Sequence, residues 1–406
     1  MIFRIAFKNV WRNKVRSLIV IVAITLGLAG GVFTASIITG MVEQKIRTGI
    51  NNEVSHIQVH HPAFQKNFES RYVIPDAMGV AASLAKMPAV KAVSARTRIA
   101  GMAASPNSAT GIQILGVDPL QEKKVSTLFT TIHDSAGGYF TGRHRNQIVI
   151  GQKLATKLKI RLKSKVILRF QNPDGDLTEA AFSVNGIFQT SNTMFDETNV
   201  FVRKSDLDQV TGTDNGIQEI ALILQNIDDI PAAEAAIKAK LPAMEVRNWV
   251  ELRPDMGMIT SAIAIEVYII LGIILFALAF GIVNTMLMIV FERTRELGML
   301  MAVGMSKSRV FRMIMLETVF LTFIGGIVGM ALSIGLVGLF SHYGIDLASM
   351  SKGLGAFGFD PKIYPYISTV FYINLTVMIF CTGILSAVMP ARKALQLNPV
   401  EAIRVD

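Results

Sequence analysis

A single cysteine, Cys381, occurs in this chain, and it sits inside an apolar stretch. No intrachain disulfide can brace any exported portion, which must hold together by packing alone. Charge is scarce too: 17% of residues are charged against 51% hydrophobic, with a mean hydropathy of +0.45. That balance favours long lipid-facing segments over a soluble core. The chain also lacks G-x-x-x-x-G-K-[ST], so it has no usual cradle for nucleotide phosphates, and any ATP must be hydrolysed by another chain. H-E-x-x-H, C-x-x-C and G-x-S-x-G are missing as well, which removes the commonest zinc, redox and hydrolase readings. The expectation is a non-catalytic subunit with no catalytic residue, no metal and no cofactor of its own.

What is present begins with four apolar runs, at 18–42, 259–291, 313–340 and 369–390, each meeting the requirement of about 20 mostly apolar residues for a crossing. Inside hydrocarbon only a helix satisfies its own backbone, so these segments are predicted helical despite their many Val, Ile and Gly residues. The net charge of +10 raises the possibility of a nucleic-acid partner, but the basic residues cluster beside the apolar stretches, which argues against one. Five basic and no acidic residues lie in 1–17, five basic ones fall in 292–312, and Arg392, Lys393 and Arg404 follow the last run. By the positive-inside rule these flanks, the 391–406 tail included, are cytoplasmic, and the 43–258 segment and the 341–368 loop lie outside.

Before the first span, Arg4, Lys8, Arg12 and Arg16 recur every four residues beside Phe3, Phe7, Val10 and Trp11. This predicts an amphipathic helix over 1–17 in the headgroup layer, anchored by Trp11, unless it is a plain positive flank. The following run is too long for a signal peptide and has no clean cleavage site, so it reads as a retained anchor.

Segment 43–258 alternates short strand-like and helix-like patterns, predicting an α+β domain of one or two subdomains inserted between the first two spans. Strands are predicted at 56–60, 90–99, 111–117, 165–170, 180–188, 199–202 and 218–224, and helices at 76–86, 152–158, 205–210 and 230–241. Asn172, Pro173, Asp174 and Gly175 form a strong turn signal between two strands, giving a protruding hairpin that is either an ordinary surface turn or a contact for a periplasmic partner. His56, Gln58 and His60 share one strand face, read as solvated rather than metal-binding. Asp118-Pro119 and Asp360-Pro361 read as structural punctuation. Within the spans, Glu266 and Glu317 are the carboxylates whose burial needs a partner or a route to the interface.

From Glu292 the sequence reads ERTRELGMLMAVGMS, predicting a charged helical extension of the second span that reaches Gly304, turns, and re-enters the membrane after Arg312. Glu292, Arg293, Arg295 and Glu296 give it a mixed-charge surface, and Gly298 and Gly304 allow close approach or bending. This ER-x-RE-x-G-x-L-x-A-x-G-x-S pattern ends at Ser306 and is followed by Glu317, Gly325, Gly326 and Gly329. It resembles the FtsX/MacB permease family. The start A-x-K-N-x-x-R-N-K-x-R-S at 6–17 and PARKALQLNPVEAIR at 390–404 extend the resemblance over the whole chain.

The resemblance implies a type VII ABC transporter in a bacterial inner membrane, with both termini cytoplasmic. Two permease protomers, identical or related, would stand on two ATPase subunits that bind the ATP and Mg. The elbow at 292–312 would dock on the ATPase through Glu292, Arg293, Arg295, Glu296, Gly298, Gly304 and Ser306. The exported domain is most similar to the lipoprotein-releasing Lol permeases, through I-x-G-M at 38–41, VSHIQVHHPAF at 54–64, GVDP at 116–119 and F-x-V-x-G-I-F at 182–188. In that family the hairpin before the last of these captures a periplasmic lipoprotein carrier; here that hairpin is short and holds only Pro173. With a lipoprotein as cargo, Phe33, Ile37, Ile38, Met41, Ile263, Val267 and Ile270 offer a surface for acyl chains, where ordinary lipid contact or helix packing is the alternative. An efflux or mechanotransmission permease and a sensing permease are the other readings of the same resemblance.

Overall fold

The structure, a computed structural model, describes residues 2–12, 14–140, 144–172, 174–213 and 216–396. Pro173 of the expected hairpin and the 397–406 part of the tail lie outside the described residues. The chain divides into two units. The first comprises Met1–Glu43, Thr260–Leu347 and Lys362–Asp406, and the second Gln44–Ile259 and Ala348–Pro361.

Among the described residues, four helices are long and apolar enough to cross a membrane, by length and composition. They run Lys14–Gly49, Pro254–Glu292, Lys307–Tyr343 and Thr369–Leu395, and are called here the first to fourth long helices. The third packs on the first through glycine. A Cβ on Gly325 would lie 2.9 Å from Ile24, and one on Gly329 would lie 3.1 Å from Leu28. Such close approach compensates for the lack of a hydrophobic drive between helices in lipid. Gly335 and Gly338 face open space and take no part. The second long helix buries one stripe, Val267, Leu271, Leu275, Ile282, Met286 and Val290, at the spacing of a single helix face.

The N-terminal helix, Ile2–Arg12, buries Ala6 and Val10. Its Phe3 and Phe7 rings meet Phe320 of the third long helix edge-on at 4.8 and 5.8 Å, while Trp11 is exposed. The charged stretch after the second long helix is not the continuous extension expected. That helix ends at Glu292, Arg293 leaves helical geometry with ψ 14°, and a separate elbow helix runs Thr294–Ala302. The third long helix starts at Lys307, ahead of Arg312.

The second unit is built on a ten-stranded sheet. Its strands are β1 (Ile57–His60), β2 (Val90–Ala104), β3 (Ala109–Val117), β4 (Ile132–Gly137), β5 (Gln147–Gly151), β6 (Lys165–Gln171), β7 (Leu177–Phe188), β8 (Asn199–Arg203), β9 (Glu219–Leu224) and β10 (Glu245–Asn248). The order is β10-β1-β9-β2-β3-β8-β5-β7-β4, with β6 pairing β2 and β7. Two cores flank it. One joins Ile57, Val59, Ile220 and Leu222 to helices Ala77–Leu84 and Ile230–Lys240. The other joins Ile148, Val166, Phe182 and Val200 to helix Gln152–Leu158. The long strand β2 serves both, pairing β9 at one end and β3 and β6 at the other.

All seven expected strands and four expected helices are present, the helix at Gln152–Leu158 with the expected bounds and the others with one or both ends shifted. β4, β5 and β10 were not legible, because β4 and β10 are short and polar and β5 is a brief apolar run without alternation. Asp118-Pro119 opens a helix, Pro119–Val125: the Asp118 carboxylate accepts from Leu120 N at 2.8 Å and Pro119 fills the first turn. The solvated face expected for His56, Gln58 and His60 needs correction. His60 is fully buried: its ring stacks on Phe64 at 5.4 Å and lies 3.0 Å from Gln218 O and 2.8 Å from Gln58 Oε1. No cluster of metal-ligating side chains occurs among the described residues.

A buried ion cluster ties β2 to its neighbours. Arg96 contacts Glu122 and Glu219 at 2.7 Å each, and Arg98 reaches Glu219 at 3.0 Å. Burial alone would raise the Glu219 carboxyl, but the Arg96 and Arg98 guanidiniums win and hold it at about 2.

Candidate functional site

The elbow helix is held from inside by a chain of polar contacts within the first unit. Arg12, at the end of the N-terminal helix, contacts Glu296 at 2.5 Å, and Arg16 pairs with Glu292. Arg293, at the break before the elbow helix, bonds Glu296 through Nε and Glu317 through Nη1, both at 3.0 Å. Asn9 Nδ2 donates to Glu317 Oε1 at 2.6 Å. One network thus joins the N-terminal helix, the elbow helix and the third long helix.

Its members differ in environment. The side chains of Glu317 and Arg293 are 5% and 11% exposed, whereas those of Arg12 and Glu296 are 50% and 45% exposed. The inner pair is therefore the structural anchor, and the outer pair, screened by water, is a weak contact that breaks easily. The Arg12 hydrogen bond, with help from Arg293, holds the Glu296 carboxyl below its usual range.

The elbow ends in a tight cap. Met305 N donates to Leu300 O at 2.9 Å and Gly304 N to Met301 O at 3.1 Å, with Gly304 at φ 102°. This satisfies the last helical carbonyls and requires the left-handed geometry that glycine adopts without strain. Met299 and Val303 stand outside the network, 54% and 86% exposed.

Of the seven residues expected to dock an ATPase, Arg293 is mostly buried, while Glu292 and Glu296 stay at the surface but are paired with Arg16 and Arg12. Gly298 is buried, and Arg295, Gly304 and Ser306 are exposed. Sequence reading missed Asn9, Arg12, Arg16, Met299 and Val303 as parts of this site, and left Glu317 without its partners. One signal was available: Arg12 and Arg16 are spaced by four, as are Glu292 and Glu296, which is helix pitch on both sides.

The acyl-chain residues are not brought into one open cavity. Val267 is buried, and Phe33, Ile38 and Ile263 pack against the same helical core; Ile37, Met41 and Ile270 are half-buried. None of them lines the apolar groove of about 980 Å³ between the second and fourth long helices, where Phe276, Phe280, Leu385 and Met389 lie. Glu266 is exposed. In the second unit, the hairpin between β6 and β7 closes through Gly175 N to Asn172 O at 3.0 Å and Asp176 N to Asn172 Oδ1 at 2.8 Å, with Gly175 at φ 94°. Asp174 and Gly175 are exposed at its tip.

Comparison with known proteins bears on both units. The model of the FtsX-like permease C-terminal family matches residues 268–399, and that of the MacB-like periplasmic core domain matches 17–240. The chain is 24% identical to the uncharacterized ABC transporter permease YknZ of Bacillus subtilis, over 99% of this chain and 98% of that one. It is 35% identical over 152 residues to the macrolide export ATP-binding/permease protein MacB of Burkholderia lata, covering 37% of this chain and 19% of that longer one. Among solved structures, the periplasmic region of MacB from Actinobacillus actinomycetemcomitans aligns with 53% of this chain and 98% of its own, at 11% identity and a TM-score of 0.34.

Proposed function

The chain belongs to the ABC transporter permeases of the FtsX/MacB type, and on that premise we propose that it is the membrane subunit that carries force from a separate ATPase to an extracytoplasmic domain. ATP and Mg bind on that partner, present in two copies beneath two permease protomers, identical or related. The observation that carries this reading is the elbow: a short helix pinned from within by Arg293, Glu296 and Glu317 and presenting Met299 and Val303 outward. Exposed apolar side chains beside a rigid turn are what a docking protein buries. Motion of the elbow would pass to the N-terminal and third long helices through the same ion pairs. The positive flanks put both termini and the elbow in the cytoplasm of an inner-membrane protein, and the α+β domain in the periplasm.

The test is whether the native protein co-purifies with an ABC ATPase. Met299→Asp with Val303→Asp should abolish the complex while the chain stays folded; a native preparation with no ATPase bound would overturn the proposal.

A second reading, extraction of lipoproteins for the outer membrane, is supported by the Lol-like residues at 38–41, 54–64, 116–119 and 182–188. The apolar groove beside Phe276 and Leu385 has room for acyl chains, and the hairpin at Asn172, Asp174 and Gly175 would meet a carrier. Depletion should then strand lipoproteins in the inner membrane. Normal sorting would leave the efflux or mechanotransmission role.

A further inference from the structure

Residues 135–173 carry nine lysines and arginines and no aspartate or glutamate. The second unit fixes part of this charge on one turn. Helix Gln152–Leu158 ends on left-handed Lys159, φ 54°, and Lys163 repeats that geometry at φ 66° before β6. Backbone bonds pin the turn: Ile160 N to Ala155 O at 3.0 Å, Ser164 N to Arg161 O at 3.1 Å and Lys163 N to Val184 O at 2.8 Å. Lys159, Arg161, Lys163 and Lys165 are all exposed, and none of their side chains has an ion-pair partner among the described residues. Like charges on one turn with no ion-pair partner among the described residues repel one another, and an anionic partner relieves that repulsion.

A second feature lies beside them. β4 ends the sheet, flanked only by β7 among the described residues and paired with it only at Ile132 and Gly137. No other described strand pairs with its outer edge, so by its strand pairing that edge is open to strand addition. Between β4 and helix Gln152–Leu158 runs a groove of about 580 Å³, with Ser135 and Ala136 on the strand side, Lys159 and Arg161 on the other, and an apolar lining from Ile160 and Ile187.

We propose that this groove takes an extended acidic segment of an extracytoplasmic partner protein, which adds to β4 by backbone pairing while its carboxylates meet Lys159 and Arg161. A sheet edge can pair only with polypeptide, and a concave slot does not match a flat bilayer surface. That the partner is extracytoplasmic rests on the topology proposed above; the binding itself does not.

The full chain in nanodiscs would be titrated with a synthetic peptide of about eight alternating glutamate and valine residues, the length of a typical strand. Binding should weaken as NaCl rises from about 50 to 200 mM, and amides of β4 should gain protection from hydrogen exchange. Arg161→Glu combined with Lys159→Asn, which tolerates the left-handed turn, should weaken binding about tenfold. Four outcomes would overturn the proposal: no peptide binding at low salt, meaning that the cations merely guard the edge; equal binding of a glutamine–valine peptide; binding without β4 protection; or uptake of phosphatidylglycerol vesicles in place of the peptide. ATPase co-purification, measured separately, reports whether the permease reading itself fails.

Discussion

The decisive perturbation is Glu317→Gln, which removes one charge from the inner pair and keeps the side-chain volume. Glu317 is 5% exposed, takes bonds from Arg293 at 3.0 Å and Asn9 at 2.6 Å, and lies in a helix that crosses lipid on our reading. Stripping one partner from a fully buried pair costs about 3–5 kcal/mol, because the other charge stays buried and uncompensated. Here the remaining Arg293 keeps Glu296 at 3.0 Å, so the loss should be smaller, about 2 kcal/mol or roughly thirtyfold in the folding equilibrium. Arg12→Gln, at the exposed outer pair, should cost under about 1 kcal/mol. Thermal unfolding of the purified chain, followed by tryptophan fluorescence, ranks the two. The Arg293→Gln/Glu317→Gln double variant should be milder than the sum of the singles by about 1 kcal/mol or more, since the two side chains touch. If Glu317→Gln is as harmless as Arg12→Gln, or if the double variant is additive, the network is not the element that joins the elbow to the helices.

Gly325→Ile should disrupt packing of the first and third long helices by about 1–3 kcal/mol, seen as a lower unfolding temperature, whereas Gly335→Ala, facing open space, should not. Glu219, depressed to about 2 by Arg96 and Arg98 against the opposing effect of burial, contributes stability that is present above its unfolded value near 4.5 and is lost as pH falls through about 2. Arg96→Leu should flatten that acid limb of a pH–stability curve and destabilise the exported domain at neutral pH. Asp196 is the opposite case: burial raises it to about 7 although Thr190 donates to it at 2.6 Å. Its contribution is full below about 3.8, declines as pH rises between the two values and is gone above about 7, so Asp196→Asn should remove a stability loss between about pH 4 and 7 seen by calorimetry.

Much of this protein is fixed by one-dimensional pattern. Apolar runs of membrane length become helices because no other structure satisfies its backbone in hydrocarbon. Alternation and turn chemistry mark strands such as β6 and β7 and the Asn172–Gly175 hairpin for the same reason: both are local. The elbow was legible as charge and glycine between two spans. Sequence could not say which way that charge faces, because direction depends on helices far apart in the chain. Arg12 and Glu296 are 284 residues apart and Asn9 and Glu317 are 308 apart; only folding brings them together and gives the charged elbow residues partners on other helices, with Met299 and Val303 left exposed. The same holds for His60, which is buried against the Phe64 ring and the carbonyl of Gln218, 158 residues away, and for the cationic groove, which exists only because β4 ends the sheet beside a turn formed elsewhere. Local propensity determined the elements, and long-range packing decided which side chains are partners and which are surface.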